Sequence, residues 1–467
     1  MTPTVISSIV KRDLCIGCGL CAAVCPDHTL VMQFNQFGEY NPTREYECGK
    51  ECGLCLKVCP FADENDNEDT IGKILYGSIP KICHRPETGY YLDCYVGYAP
   101  DTRERGASGG MATWFLSTLL KKGIVDYIIA VVPNEDPDQL FKFTILTDPQ
   151  SVLASAGSAY YPVELSGVLR EIQNKPGKCA IIGLPCFIKA IRLATEKNRK
   201  LRERITFTLG LVCGQMKSKH YTDYISALTG VTPPLHKVHY RGKSPEKPAS
   251  VFYFSCINKK GDTGKIFYNK GVSKVWGNRW FTLNACNYCD DIFAECADVT
   301  FMDAWLPEYM KDSLGMNIIM IRSAVVKEIF NDAIESNEIC IKPLSVQDMI
   351  QSQDGIVHQK KLHLAYLLSL DQKNGVSSPI KRVVPKNIVW APFQRREIEL
   401  KEQMRIISRS LWVEQKSNGI YAIEKINKAT FPHLTQLKTG KILLRIFDLP
   451  LNALRFIQRN IRSRFHG

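Results

Sequence analysis

The sequence predicts an α/β protein in three parts: a small α+β module at the N-terminus, a largely parallel-sheet α/β domain, and a helical, basic C-terminal tail. Three observations predict it. Eight of the 18 cysteines fall between Cys15 and Cys59. From about residue 88 to 345, apolar β-branched runs alternate with segments of helical period. From residue 381 onward the chain carries 18 Lys and Arg against 6 Asp and Glu, while the first 380 residues hold 42 against 41. The expected divisions are 1–70, 71–370 and 371–467. A chain of 467 residues, 45% hydrophobic and 23% charged, is long enough for such an arrangement.

The N-terminal module is read from its cysteines. "CIGCGLCAAVCP" places Cys15, Cys18, Cys21 and Cys25 before Pro26. "CGKECGLCLKVCP" places Cys48, Cys52, Cys55 and Cys59 before Pro60, with one extra residue in the first gap. This is the bacterial ferredoxin spacing, twice, and so predicts a ferredoxin-like fold with two 4Fe–4S clusters. Three closely spaced thiolates wrap one cubane, and the fourth cysteine crosses to the other. Cys15, Cys18, Cys21 and Cys59 are therefore one expected ligand set, and Cys48, Cys52, Cys55 and Cys25 the second. Gly17, Gly19, Gly49 and Gly53 suit tight turns whose N–H groups face sulfur. Zinc sites use two pairs of ligands rather than two runs of four. Two clusters in one module imply electron transfer. The acidic stretch "FADENDNEDT", 61–70, reads as a solvated exit loop.

The central domain follows from its alternation. "VDYIIAVVP" (125–133), "KCAIIG" (178–183), "ITFTLGLVCG" (205–214), "ADVTFMDAW" (297–305) and "NIIMIRS" (317–323) read as strands. "GGMATWFLSTLLKKG" (109–123) and "PCFIKAIRLATEK" (185–197) read as helices. In open α/β sheets, ligands bind beyond the carboxyl ends of the strands. Cys186, Cys213 and Asp303 all fall at such ends. Cys186 also opens a helix behind Pro185, a position expected to favour its thiolate and lower its pKa. "NACNYCDD" adds Cys286 and Cys289, with Cys296 seven residues on. Cys186, Cys213, Cys286 and Cys289 make a possible four-thiolate site. A third 4Fe–4S cluster is the expectation, with zinc or a redox dithiol as the alternatives. Cys83, Cys94, Cys179, Cys256 and Cys340 have no partner at useful spacing and read as small buried or incidental residues.

Two loops complete the candidate crevice. "RERGASGGMATWF", 103–115, is a Gly-rich turn opening a helix, where backbone N–H groups suit a phosphate; Ser108 as a plain helix cap is the competing reading. "SAGSAYYPVEL", 155–165, offers Ser158 and Tyr160 as a cofactor-facing loop or as core tyrosines.

At this level of detail, residues 88–370 resemble the beta subunit family of coenzyme F-420 hydrogenases and dehydrogenases. The segments that carry the resemblance are "ASGGMATWFL", "AGSAYYPVE", "IIGLPCFIKAIR", "FTLGLVCG", "VHYRGKSPEKP", "CNYCDDIFAECADVTFMDAW" and "VHQKKLHLA". With the ferredoxin module included, it covers about 80% of the chain. The resemblance implies an FAD-dependent iron–sulfur oxidoreductase exchanging electrons with F-420, another small molecule or a partner protein. It places Ser108, Gly109 and Gly110 against the flavin nucleotide and Ser158 and Tyr160 in the flavin loop. It also makes Cys186, Cys213, Cys286 and Cys289 the extra cluster's candidates. Where the family often has Gly-Asp, this chain has Met302-Asp303. The alternatives are a non-catalytic electron-transfer subunit and a structural iron–sulfur interaction protein without flavin.

The tail stretch "KILLRIFDLPLNALRFIQRNIRSRF", 441–465, sets Leu451, Leu454, Ile461 and Phe465 at near-helical spacing with Arg455, Arg459 and Arg462 between them, after a break expected at Pro450. It suits a helix packed on its own domain, an anionic membrane surface or an acidic partner. No nucleic-acid motif accompanies the charge. The chain shows no apolar run of spanning length and no secretory signal. The expected location is the cytoplasm, or the inner face of the membrane as a peripheral protein.

Overall fold

The computed structural model describes residues 3–46, 48, 52–387, 392–415 and 419–464. Gly49 and Phe465 lie outside the described residues, and so do the side chains from 443 onward. The chain forms two compact units: residues 1–274 with 282–387, and residues 275–281 with 388–467.

The first unit opens with the cysteine module. Each cysteine run turns through a left-handed glycine into a one-turn helix, Gly19 into Leu20–Ala23 and Gly53 into Leu54–Lys57. Gly17, at φ +72°, makes the tight turn between Cys15 and Cys18 that a side chain would resist. Strands Leu30–Phe34 and Tyr40–Arg44 pair antiparallel between the runs. Residues 68–70 do not continue a solvated loop. Asn67 caps a helix, Glu68–Tyr76, and Glu68 is buried.

An eight-stranded sheet follows. Its order is Cys340–Pro343, Asp93–Tyr98, Asn317–Ile321, Val299–Asp303, Ile205–Leu211, Cys179–Gly183, Tyr127–Pro133, Phe141–Leu146. The four strands from Val299–Asp303 to Tyr127–Pro133 run parallel, and the flanking pairs are antiparallel. Their near-continuous apolar sequences reflect burial on both faces. Ile128, Ala130, Ala180 and Leu209 pack on one side with Phe115 and Phe330. Tyr127, Ile129 and Ile181 pack on the other with Phe187 and Ile188. Adjacent residues point to opposite faces of a strand, so one run serves two cores.

The second of these cores is where the module docks. Its one-turn helices pack on the Pro185–Lys197 helix, and Leu20–Ala23 packs on Ser166–Asn174 as well. Leu165 donates its N–H to the Cys18 carbonyl at 3.0 Å. Arg170 donates to the carbonyls of Ala22 at 2.8 Å and Leu30 at 3.0 Å. One apolar core therefore contains Cys18, Cys21, Cys25, Cys59 and Cys286, with Cys15, Cys55, Cys186 and Cys289 packed against it. A three-stranded meander, Leu235–Gly242, Tyr253–Asn258 and Thr263–Phe267, completes the architecture around the crevice.

The second unit is helical. It contains Pro392–Gln415 and Gly419–Arg464. Residues 275–281 belong to it: Phe281 donates its N–H to Ser408 at 3.1 Å and meets the Trp412 ring edge-on at 5.8 Å. Pro450 lies inside the longer helix and does not end it. A proline in a helix interior removes one amide hydrogen bond and disfavours the turn before it, a local cost within a 46-residue helix.

Candidate redox site

Cys15, Cys18, Cys21 and Cys59 line a single cavity walled by Val5, Leu14, Ile16, Met32 and Phe61. Cys59 thus crosses from the second run to join the first. Burial pushes the Cys15 thiol up to about 12 and Cys59 to about 11, and drives Cys18 and Cys21 well above the ordinary value; the nearby thiols add to this. Four buried thiols that resist ionisation together suit a cationic iron–sulfur core, whose charge offsets four thiolates. Gly17 donates its N–H to Cys15 Sγ at 3.4 Å, one of the sulfur-facing amides the glycines make room for. In the other half, Cys55 lies within electrostatic reach of Cys52 and Cys25. Cys48 and Cys52 are at the surface, and residues 49–51 between them lie outside the described residues.

The four central cysteines also come together. Cys186 is the second residue of the Pro185–Lys197 helix, and Cys213 follows the Ile205–Leu211 strand. Cys286 sits in the 3-10 turn Asn284–Tyr288, with Cys289 just beyond it. Burial first, then Cys289, Cys213 and Cys286, push the Cys186 thiol well above its ordinary value. This reverses the lowering expected from a helix N-terminus, because a partial helix charge is weaker than full desolvation beside three thiols. Cys286 Sγ accepts the Met216 N–H at 3.2 Å. The Lys360 ammonium donates to Cys289 Sγ at 2.8 Å and to the Asp291 carbonyl at 3.0 Å. Cys296 faces Glu68, Asp291 and Lys189 instead. Among the described residues, no group of three or more His, Cys, Asp or Glu side chains is placed to hold a single metal ion. The thiols are associated by shared burial and electrostatic reach.

Beyond the Val299–Asp303 strand, Asp303 and Tyr160 meet a buried cation. Buried Arg241, on Leu235–Gly242, donates to both Asp303 oxygens at 3.0 and 3.3 Å and to the Tyr160 hydroxyl at 3.3 Å. It also reaches the Ala107 carbonyl at 3.4 Å, and its guanidinium lies 4.2 Å from the Phe252 ring centroid. Its Nε is buried without a hydrogen-bond partner among the described residues. Lys243 donates to the carbonyls of Arg103 at 2.5 Å and Ser108 at 2.8 Å. Burial, then Arg103 and Arg241, lower its pKa to about 8. A desolvated lysine between two arginines at a Gly-rich turn is a setting an anionic phosphate would relieve.

The turn's own residues serve it differently than expected. The Ser108 hydroxyl donates to the Met316 carbonyl at 2.7 Å, and Gly110, not Ser108, caps the helix Met111–Lys121. A Cβ on Gly109 would stand 2.7 Å from the Asn317 nitrogen and the Gly97 carbonyl oxygen, both backbone atoms of the sheet. Gly109→Ala is expected to lower stability by about 1–3 kcal/mol, measured as a fall in the urea midpoint. Ser158 is half-buried on the Tyr160 loop. Met302, the departure from the family's glycine, turns into the core with Ile318 and Phe293, so it leaves the crevice to Asp303.

Residues 94–170 and 177–347 match the N-terminal and C-terminal parts of the coenzyme F-420 hydrogenase/dehydrogenase beta subunit, and residues 14–62 match a 4Fe–4S dicluster domain. The chain belongs to that beta subunit family. A subunit of the F(420)H(2) dehydrogenase of Methanosarcina mazei is 23% identical over 348 residues, 73% of this chain and 88% of that protein. The coenzyme F-420-dependent sulfite reductase of Methanocaldococcus jannaschii is 26% identical over 71% of this chain, which spans about half (48%) of that protein. The PorD component of the pyruvate synthase of Thermotoga maritima is 34% identical over 56 residues, 12% of this chain and 52% of that protein. This beta-subunit-family member is thus an iron–sulfur protein related to F-420-dependent oxidoreductases. Arg241, Lys243 and Lys360 are functional candidates that the sequence did not single out. They lie in two of the segments that carry the family resemblance, "VHYRGKSPEKP" and "VHQKKLHLA", in which nothing marks the one lysine or arginine that turns inward.

Proposed function

We propose that the chain is an iron–sulfur flavoprotein oxidoreductase. In it, electrons move between two 4Fe–4S clusters of the N-terminal module, a third at Cys186, Cys213, Cys286 and Cys289, and FAD at the strand-end crevice. The observation that carries the reading is the single apolar core joining the module's cysteines to three of the central four, Cys186, Cys286 and Cys289, with the Cys186 helix packed on both cluster-run helices. Arg241 and Lys243, beside the Gly-rich turn, supply charge for the FAD pyrophosphate, and Asp303 and Tyr160 hold Arg241 in place. FAD would interconvert one-electron and two-electron chemistry. The names of the relatives support F-420 as the two-electron partner and a further protein subunit as the one-electron partner.

The same reading divides the chain at about residues 70 and 370, following the cysteine module and the α/β pattern. It assigns the basic helical tail to contact with a partner or membrane surface, and the protein to the cytoplasm. No helix among the described residues is long and apolar enough to cross a membrane.

Anaerobic purification tests the proposal. The expected content is about twelve irons per chain, four for each four-thiolate cluster, with one FAD and absorbance changes on mixing with F-420. About eight irons and no flavin would overturn it.

A further inference from the structure

Lys360 is 3% exposed, and it sits in a single π-helical turn, Gln359–His363, between Asp354–His358 and Leu364–Asn374. Such turns widen a helix locally and recur at functional sites. The hydrogen bonds of its ammonium go to the Cys289 sulfur and the Asp291 carbonyl, neither of them a carboxylate. A buried ammonium is costly unless a negative charge faces it. What faces Lys360 is the edge of the four-cysteine set, with Cys289 Sγ at 2.8 Å and the Asp291 carboxylate within electrostatic reach. A single positive charge therefore sits against one edge of a site that becomes anionic when its thiols ionise.

We propose that Lys360 sets the reduction potential of the inner cluster, making it the electron acceptor for the two N-terminal clusters. This rests on the inner-cluster assignment above. One-electron reduction adds one negative charge to the site and makes or breaks no bond; the donor is a reduced N-terminal cluster. A fixed ammonium 2.8 Å from a ligand sulfur favours the more negative, reduced state. The N-terminal set has a weaker counterpart: Lys189 lowers the Cys59 pKa through charge, but its ammonium pairs with Glu68 at 3.3 Å. The inner site is thereby the more attractive to an electron, and the flow is directed from the module toward the crevice.

The experiment is a dithionite titration of the anaerobic full-length protein, followed by EPR, on wild type, Lys360→Met and Lys360→Arg. Lys360→Met is expected to keep its iron while its inner-cluster potential falls by at least a tenfold change in reduction equilibrium, about 59 mV for one electron. The N-terminal pair serves as the internal reference and should not move. Lys360→Arg should restore most of the shift. An unchanged inner potential, an equal shift in all clusters, or loss of the inner iron from Lys360→Met would overturn the proposal, the last by making Lys360 a structural support. Wild-type protein with only about eight irons would instead defeat the inner-cluster reading before any variant is compared.

Discussion

Cys186→Ala is expected to yield a folded protein with about eight irons instead of about twelve, the loss of one four-iron cluster. The N-terminal EPR signals should persist, because Cys186 faces Cys289, Cys213 and Cys286 and not the module's thiols. Removing one thiolate leaves three ligands, one fewer than a 4Fe–4S cluster takes, so loss of the cluster is the expected outcome. Cys296→Ala is the control. That sulfur is more deeply buried than Cys186 but faces Glu68, Asp291 and Lys189, and its loss should leave the iron count unchanged. Equal iron in wild type and Cys186→Ala would remove Cys186 from the ligand set.

Arg382→Met should destabilise the first unit by about 3–5 kcal/mol, the cost of leaving buried charges without their partner. Arg382 makes a bidentate pair with Glu295 at 2.7 and 2.9 Å and bonds Asp69 at 2.8 Å and Asp290 at 3.4 Å. Its Nε also lies 3.5 Å from Glu68. Glu68 and Asp69 belong to the helix after the module, while Asp290 and Glu295 belong to the loop after Cys289. The residues just before Arg382 also reach the module: Arg12 donates to the Ser377 carbonyl at 3.2 Å, and Ile380 donates its N–H to Asp63 at 2.7 Å. Residues 377–382 are thus a strap holding the module to the inner-cysteine loop. Burial opposes ionisation of Asp290, but Lys381, Arg382 and Lys189 outweigh it and hold its carboxyl below the usual range. A depressed carboxylate stabilises the fold above its unfolded pKa, about 3.9, and loses that contribution as pH falls below it. The gap between wild type and Arg382→Met in thermal unfolding should therefore be widest near neutral pH and narrow in acid. A constant gap would assign the effect to packing alone.

What the sequence made legible follows from how local each signal is. Cluster ligation requires fixed spacing, so the two cysteine runs could be read directly, including the crossing of Cys59 to the first set. The strands were legible because burial on both faces leaves uninterrupted apolar runs. Cys186, Cys213, Cys286 and Cys289 could be associated because each lies at a strand end or in a Cys-x-x-Cys pair. Lys360, Arg241 and Arg382 could not. Their partners stand 71, 62 and 87 residues away in Cys289, Asp303 and Glu295, and no periodicity records such a pairing. The thiolate expectation at Cys186 failed for a related reason: a helix end is visible in sequence, but the desolvation that overrides it belongs to the folded core.

The shared core around both sets of cysteines also bears on biogenesis. Cys18, Cys21, Cys59 and Cys286 are sealed by the same side chains that seat the module on the sheet. Iron and sulfide delivered to a finished chain would have to open that interface first. For the cluster at Cys15, Cys18, Cys21 and Cys59, insertion is therefore expected before the module closes onto the domain, and chains made under iron starvation should be difficult to repair at that site afterwards.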